Sequence, residues 1–422
     1  MKSKVKGSVL LLSVILSLLV ITLMLYLLPL NSFMFKTYAQ LLNEKKVFSS
    51  IRSVLLIHLH NLEVNAPVEP INYKQFENTT VQHEPWGLFE VVSIKSSKGD
   101  FSKEKSFLLG QDFHNSTDSV TMRIPEINSP FFCVGSATIE GRVIIPKEGI
   151  KTNYIDGKFF SGELSEIELI SSYSQFLPEQ SRFFDSATEY LFSSEKLTEI
   201  YQVDITPTQS LIDSVTAPFS GNAILFHSNA SIQLRNVKVT GKVIITSESN
   251  IKVDSYSSLN DAILVAPVVK VSKGFNGCLQ IFATDSIVVE EGVMLHYPST
   301  ICLKQMKFET HSLLEIKSNV KINGAIIVTR PSEVVKYYHY PRVNIDEQSV
   351  IKGILYVQGL TDLRGTVQGS TLTDHFYCQT HSGFYLNYLY NGRLTHKNIP
   401  SQFGIPFLYD NKWKKCLIKE LI

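Results

Sequence analysis

Apolar residues follow one another without interruption from Val9 to Leu30, directly behind Lys2, Lys4 and Lys6. The run contains no charged residue. At about 1.5 Å per residue, a helix of this length spans about 33 Å, which exceeds a hydrocarbon core of about 30 Å. The pattern therefore predicts a cytoplasmic tip and a transmembrane helix over residues 1–30, with the side chains of Val9–Leu30 in contact with membrane lipid.

A cleaved secretory signal is the alternative interpretation of this run. The apolar part of a signal is usually about 7–15 residues long and ends in a small-residue cleavage motif. The run here is longer, and the sequence Pro29-Leu30-Asn31-Ser32-Phe33 lacks such a motif. We therefore expect a retained single-pass anchor. The lysines predict a cytoplasmic N-terminus and an extracytoplasmic C-terminal domain, in the periplasm or at the cell surface.

Helical spacing of apolar residues continues from Phe35 to about Asn61, which predicts a stalk helix over 31–62. Pro29 marks the point at which this helix could break from the membrane segment. Val64–Pro70 has the composition of a linker.

A small β-rich unit is predicted over 63–130. Strand-like patterns occur at Gly87–Ser93, Ser106–Leu109 and Ser119–Ile124. The first two flank Lys98-Gly99-Asp100, which is a suitable hairpin turn.

A short phrase then repeats along the chain: a small or polar residue followed by a β-branched or aliphatic strand. It begins at Gly141, Gly221, Gly241, Asp261, Gly277, Ser299, Gly324 and Gly353. From Gly221 onward the period is roughly 20–25 residues, with a second short strand in most periods. This pattern is typical of an irregular β-helix, a solenoid of short strands, which we predict over 131–372. A β-sandwich is the alternative, but it gives no reason for the repeated phrase.

Two segments depart from the repeat. Residues 160–215 are mixed and partly helical, and we predict an insertion that covers one end or flank of the solenoid. Residues 373–422 are rich in aromatic side chains and predict a C-terminal cap of helix and loop. The predicted fold class is therefore mainly β: a transmembrane helix and stalk, a small β unit, a β-helix and a cap.

Composition limits the classes of partner. The chain has 422 residues, of which 44% are hydrophobic and 19% charged, so it can bury a sizeable core. Its net charge of +1 gives no electrostatic footprint for nucleic acid. The five cysteines are scattered and odd in number, and their pairing cannot be read from the sequence.

The N-terminal residues Lys6-Gly7-Ser8, followed by the apolar helix, resemble the start of type IV pilins and pseudopilins. The resemblance implies a peptidase cut between Gly7 and Ser8 and a first helix that continues into the ectodomain. Two positions depart from the family pattern. Ser8 replaces the usual aromatic residue, and Leu12 stands where the family has an acidic residue. Ordinary single-pass anchoring is the alternative.

Segments of the predicted solenoid and cap resemble a group of uncharacterised exported Bacteroidota proteins. The similar residues are Ala262-Ile-Leu-Val-Ala-Pro, Gly274-Phe-Asn-Gly, Gln280-Ile-Phe-Ala, Tyr297-Pro-Ser and Phe384-Tyr-Leu-Asn-Tyr-Leu. The resemblance implies an N-terminal anchor and a β-helix-like ectodomain outside the cytoplasm. It implies no chemistry.

One cluster of metal-ligand types stands out in the predicted cap. His375, Cys378 and His381, next to Asp374, are spaced three residues apart and would share one face of a helix. Three such ligands could hold a transition metal with a fourth from elsewhere. No second matched pair lies nearby, and a polar turn or helix start explains the same residues, so we predict no metal and no cofactor.

We expect several other histidines, prolines and carboxylates to have structural roles. We expect His58 and His60 to be surface residues of the stalk helix. The two His-Tyr-Pro triplets, at 296–298 and 339–341, are expected to be corners where proline ends a strand. Carboxylates that could cleave a polysaccharide do not share one position of the repeat, and solvated loops explain them: Asp254, Asp261, Asp285, Glu290 and Glu291.

The sequence therefore predicts a membrane-anchored, non-catalytic protein with a structural, assembly or surface-interaction role and an envelope protein as partner. The alternative is an anchored β-helix protein that binds or cleaves a polysaccharide. No nucleotide-binding glycine motif and no local nucleophile signature is present.

Overall fold

The structure is a computed structural model. It describes residues 5–60, 71–73, 76, 78–116, 120–193, 195–197, 202–205, 214–307, 311–332, 336–410 and 414–421. The described chain forms two compact units. The first comprises residues 1–56, 70–81 and 94–104, and the second comprises 57–69, 82–93 and 105–422. The predicted linker Val64–Pro70 lies outside the described residues.

A single helix, α1 (Val5–His60), joins the predicted transmembrane and stalk helices. It continues through Pro29 without a break. Its N-terminal part is apolar enough to cross a membrane, with a mean hydropathy of 2.8, and the side chains of Val9–Leu30 are exposed. Ser13, Ser17 and Thr22 each donate a hydrogen bond of 2.9 Å to a carbonyl of the preceding turn, which satisfies their hydroxyls without water.

An antiparallel sheet follows in the order β1 (Ile71–Tyr73), β2 (Thr79–Trp86), β3 (Phe89–Lys98) and β4 (Phe101–Asp112). Gly99, with φ +58°, makes the turn between β3 and β4, so the predicted hairpin is confirmed. A short helix, α2 (Phe113–Ser116), ends β4.

The remaining elements belong to the second unit. Up to the middle of the chain they are β5 (Val120–Arg123), β6 (Phe131–Val134), β7 (Thr138–Ile145), β8 (Ile150–Thr152), β9 (Tyr154–Ile155), β10 (Lys158–Phe159), β11 (Glu163–Ser171), α3 (Arg182–Phe192), β12 (Gln202–Ile205), β13 (Ser214–Ala217), β14 (Ile224–Ser228), β15 (Ile232–Leu234), β16 (Lys238–Gly241), β17 (Val243–Ser247) and β18 (Asn250–Val253). They continue with β19 (Ser258–Val271), β20 (Asn276–Val289), β21 (Met294–Lys304), β22 (Leu313–Ile316), β23 (Lys321–Thr329), a 3₁₀ turn at Tyr337–His339, β24 (Arg342–Ile345), β25 (Val350–Leu363), β26 (Thr366–Gln379), β27 (Phe384–Leu386), β28 (Tyr388–Tyr390), β29 (Arg393–Thr395), β30 (Gly404–Ile405) and β31 (Lys415–Leu421).

Most of these strands pair in parallel, and within a ladder each strand pairs with the member that follows it along the chain. One ladder runs β14–β17–β19–β20–β21–β23–β25–β26, with Leu264 opposite Ile281, for example, and Ile326 opposite Leu355. Both faces of these strands are apolar because both are covered. One face forms a core that includes Leu264, Ile281 and Ile326, and the other contributes residues such as Ile263 to a second core.

The order of strands differs from the order of the sequence at one end of the ladders. β5 and β29 pair with β26, β7 pairs with β29 and with β5, and β11 pairs with β7. The phrase at Gly141 therefore follows the C-terminal strands instead of preceding the phrase at Gly221. Residues 160–215 do not form an insertion outside the repeat as predicted, because β11, β12 and β13 are members of the parallel ladders.

The second core lies within the second unit and contains residues from both a sheet and a helix. It combines Trp86, Phe89 and Leu108 of the antiparallel sheet with Phe184 of α3. β30 and β31 pair with β4, so the C-terminus completes that sheet. The prediction of a helical cap is wrong, since the described residues after 379 form strands, turns and loops; Phe403 and Leu408 are loop residues that pack in the second core.

Three glycines explain part of the repeated phrase. Gly324, Gly353 and Gly369 stand opposite one another on β23, β25 and β26, with φ between +133° and +143°. A Cβ on Gly353 would lie 2.0 Å from the carbonyl oxygen of Gly324. Only glycine allows this backbone conformation and this close approach.

Candidate functional site

The residues that follow successive strands form an aligned column of turns. The backbone N–H of Glu290 donates to the carbonyl of Val271 at 3.0 Å, and that of Arg364 donates to Ile345 at 2.9 Å. The same register places six residues at equivalent positions, namely Asp254, Ser272, Glu290, Lys317, Asp346 and Arg364. Asp254 and Glu290 therefore do share one position, contrary to the prediction.

These two carboxylates have structural partners. Asp254 accepts hydrogen bonds from the backbone N–H groups of Tyr256 and Ser257 at 3.1 and 2.9 Å. Burial opposes its ionisation, but the hydrogen bonds from Ser257 and its neighbours outweigh burial and lower the pKa of Asp254. Glu290 pairs with Lys270 at 2.7 Å, and that hydrogen bond lowers the pKa of Glu290. A general acid for glycoside cleavage needs a raised pKa, so neither residue is suited to that role.

The other three candidate carboxylates are also engaged locally. Asp261 pairs with Lys419, and Glu291 pairs with Lys273 at 2.6 Å. Asp285 accepts a hydrogen bond from the hydroxyl of Thr284 at 2.9 Å. The five side chains therefore do not form a pair of catalytic carboxylates.

A groove of about 700 Å³ lies further along the same column of turns. Its walls come from the turns after β24, β25, β28 and β6, and from β10 with the segment that follows it. They are Glu347, Arg364, Asn391, Gly135, Ser136, Lys158, Phe159 and Ser161. This volume lies within the range of about 300–1,000 Å³ that is usual for ligand sites.

Backbone hydrogen bonds hold the walls of the groove in register. The N–H of Arg393 donates to Gly365 at 2.9 Å, and the N–H of Ser161 donates to Gly135 at 2.8 Å. Asn391 adopts φ +62°, a conformation that asparagine tolerates, and its Oδ1 accepts the N–H of Ser136 at 3.1 Å. The groove is therefore a rigid feature made by turns that are distant in sequence.

Two cations of the groove face one aromatic ring. Lys158 Nζ lies 5.2 Å and Arg364 Cζ lies 5.9 Å from the centroid of the Tyr390 ring, both within the range of cation–π attraction. Asp362 binds Arg364 through Nε at 3.3 Å and Nη2 at 3.0 Å, and this hydrogen-bonded pair raises the pKa of Arg364. With Asp362 neutralising Arg364, the charges of Lys158 and Glu347 balance, so the groove is polar with little net charge.

An exposed aromatic ring forms the rim. Phe159 is 72% exposed and packs against Tyr154 at a centroid distance of 4.6 Å. Both belong to the hairpin of β9 and β10, whose turn contains Asp156 and Gly157, each with positive φ. The Phe159 ring therefore offers an open apolar face beside the polar groups of the groove.

The three candidate metal ligands named above are not brought together. His375 and Cys378 lie on strand β26, where an interval of three residues points side chains to opposite faces. His375 Nδ1 is 2.9 Å from Asn387 Oδ1, whereas Cys378 is buried beside Val134, and burial raises the pKa of its thiol to about 11. The neutral thiol is a poor ligand. His381 follows the strand, and the described residues contain no group of three His, Cys, Asp or Glu side chains that could hold a metal ion.

The outcome differs among the predictions for the histidines of α1 and for the two His-Tyr-Pro triplets. The prediction that His58 is a surface residue is wrong, since it is 3% exposed and its ring lies 4.7 Å from that of His83, whereas His60 is exposed. Pro298 lies inside β21, and Pro341 precedes β24, so neither proline ends a strand. The five cysteines are free thiols.

Comparison with known protein families, with curated proteins and with solved structures found no match to this chain. The arguments about function therefore rest on the chain itself. The sequence interpretation missed the groove because its walls come from turns more than 200 residues apart, between Gly135 and Glu347, and no local pattern links them.

Proposed function

We propose that this protein is a membrane-anchored, non-catalytic interaction protein that displays a β-helix outside the cytoplasm. In this proposal Val9–Leu30 crosses the bilayer, and the parallel strands present a rigid surface to an envelope protein partner. The observation that carries the proposal is the exposed apolar run of α1 in a chain whose second unit is a large, well-packed β structure.

The parallel pairing supports a β-helix. Each long strand pairs in register with the next one along the chain, and the turns between strands align in a column. A solenoid of this kind gives each repeat an apolar face that its neighbours cover. The glycines at 324, 353 and 369 occupy one column, as equivalent positions of successive coils would.

The charge pattern supports the orientation. Lys2, Lys4 and Lys6 precede the apolar run and favour a cytoplasmic N-terminus, which puts the rest of the chain on the other side. A peptidase cut between Gly7 and Ser8 stays a prediction; both residues lie at the start of α1. N-terminal sequencing of protein extracted from membranes distinguishes a start at Ser8 from an intact N-terminus.

The local interactions of the candidate carboxylates support a non-catalytic role. Each has a local hydrogen-bond or ion-pair partner, and Asp254 and Glu290 have lowered pKa values. The polysaccharide-cleaving alternative would need one carboxyl with a raised pKa facing another across a cleft. No such pair occurs among the five candidates.

The anchor is tested with a variant that changes one side chain in the middle of the run. Leu18→Arg should cost about 2.5–3.5 kcal/mol of insertion free energy at the helix centre, whereas Leu18→Phe should cost almost nothing. The measurement is the fraction of protein that stays with membranes after alkaline extraction. Equal retention of both variants, or complete extraction of the unchanged protein, contradicts the anchor.

The interaction role is tested by affinity capture from detergent-solubilised membranes of the native cell. We expect one envelope protein to be recovered with the full-length chain in stoichiometric amount. A tagged protein carrying Leu18→Arg, whose insertion should be weakened, is the matched control. Recovery of the same proteins with both baits, or of none, contradicts an envelope assembly role.

A further inference from the structure

We infer that the groove formed by Glu347, Arg364, Asn391, Ser136, Lys158 and Phe159 binds an oligosaccharide. This inference rests on the proposed function, because the groove lies in the domain that the anchor would display, and it adds a glycan ligand to the protein partner. It begins from the combination of groups in the groove: one exposed aromatic ring beside donors and acceptors with little net charge.

The aromatic ring suits a sugar. The face of an aromatic ring is electronegative, and the C–H face of a pyranose is weakly positive and apolar, so the two stack. One side of the Phe159 ring packs against Tyr154, with a centroid distance of 4.6 Å, and the other side is open to solvent. Stacking of this kind fixes the position of a sugar ring without requiring a charged ligand.

The polar groups provide hydrogen bonds of both kinds. Glu347 accepts and Lys158 donates. Among the described residues, the hydrogen bonds of Arg364 use Nε and Nη2, so Nη1 can donate to a ligand. Asn391 and Ser136 are fixed by their mutual hydrogen bonds at 3.1 and 3.4 Å. Sugar hydroxyls are donors and acceptors at once, and rigid partners of both kinds lower the entropic cost of binding them.

The spacing of the turns also suits a chain of sugars. Neighbouring strands of a sheet are about 4.8 Å apart. The walls of the groove come from turns that follow one another at this interval, through the hydrogen bonds of Arg364 to Ile345, Arg393 to Gly365 and Ser161 to Gly135. One pyranose in an extended glycan advances by a similar length, so successive sugars meet equivalent backbone positions.

A protein segment fits the groove less well. The groove is lined mostly by turns, and the strand β10 in its wall is only two residues long, so it offers little edge to a peptide backbone. The neighbouring strand β11 carries Glu163, Glu166 and Glu168 and has an irregular register between Ser165 and Glu168, features that oppose strand addition.

The test uses the full-length protein in detergent and four probes: cellotetraose, chitotetraose, mannotetraose and α-1,4-linked tetragalacturonate. Isothermal titration should detect binding of at least one probe with a Kd of about 1 mM or tighter. Phe159→Ala should weaken that binding about tenfold because the stacking surface is lost. Lys158→Ala should weaken it as well. Tyr256→Ala removes an aromatic ring that is 82% exposed and outside the groove, and it should leave the Kd unchanged.

Absence of binding to all four probes overturns the inference, and so does binding that Phe159→Ala and Lys158→Ala leave unchanged. The far-ultraviolet circular dichroism of each variant confirms that it is folded, which we expect because Phe159 is largely exposed. Membrane retention of the unchanged protein, compared with its binding of the four probes, separates the two proposals. A protein that stays in membranes and binds no glycan refutes the groove alone, whereas extraction of the unchanged protein refutes the proposed function.

Discussion

Lys415 Nζ lies 2.9 Å from Oε2 of Glu90, and the two side chains are only 2% and 3% exposed. They belong to β31 and β3, so a buried ion pair joins the C-terminal strand to the antiparallel sheet. The other oxygen of Glu90 lies 2.7 Å from His83 Nδ1. Burial opposes ionisation of Glu90, but the hydrogen bonds with His83 and Lys415 outweigh it and lower the pKa of Glu90.

We predict that removing one partner of this pair is costly. Lys415→Ala leaves Glu90 as a buried charge without its cation and should lower the free energy of unfolding by about 3–5 kcal/mol. Lys414→Ala, at the exposed neighbouring residue, should change it by less than about 0.5 kcal/mol. Urea unfolding followed by circular dichroism measures both values. Equal effects of the two variants would show that the ion pair is not a stabilising contact.

We also predict that acidification weakens the fold through His58. Its burial, with the nearby charges of His83 and Lys415, lowers the pKa of His58 from 6.5 to about 4. Between these values the unfolded chain binds a proton that the folded chain does not, so stability falls as the pH falls from about 6.5 to about 4. Glu90 adds to the loss below 4.5, where its lowered pKa means that the unfolded carboxylate protonates first.

The measurement is the urea midpoint at pH 7.0 and near pH 5. His58→Gln keeps a neutral polar side chain and should flatten this dependence. His60→Gln, at an exposed residue two positions further on, should leave it unchanged. An unchanged pH profile for His58→Gln would show that other groups are responsible.

The glycine column gives a third prediction. Gly353→Ala places a Cβ 2.0 Å from the carbonyl oxygen of Gly324 in a backbone region that suits glycine, and it should destabilise the protein by about 2–4 kcal/mol. Gly221 begins the same repeated phrase, but its nearest neighbour would lie at 3.6 Å. Gly221→Ala is therefore the matched control and should be tolerated. A loss of stability in the control as large as that in Gly353→Ala would disprove the steric argument.

A fourth prediction concerns the turn at Asp254. Asp254→Ala removes the acceptor of the N–H groups of Asn236, Tyr256 and Ser257 and should cost about 1–2 kcal/mol. Asp285 accepts only from Thr284 among its described neighbours, so Asp285→Ala should have a small effect. Thermal unfolding of both variants provides the comparison. A smaller loss for Asp254→Ala than for Asp285→Ala would be inconsistent with a structural role for Asp254.

The sequence by itself determined the local elements. The apolar run Val9–Leu30 is part of a helix, and second short strands of the predicted repeat occur at Asn250–Val253 and Leu313–Ile316. These properties depend on residues close together in the chain, such as the alternation of side chains in a strand, and a local pattern therefore reveals them. The same applies to Gly99, whose turn needs a residue that accepts positive φ.

Only the tertiary structure decided which elements are neighbours. β7 carries the first phrase of the repeat, but it pairs with β29 and β5 because strand pairing depends on contacts between segments that are distant in the sequence. Burial of His58, and the proximity of Lys158 and Arg364 to the Tyr390 ring, also depend on which distant segments pack together. Chain segments hundreds of residues apart supply these groups, and their proximity has no signature in a single sequence.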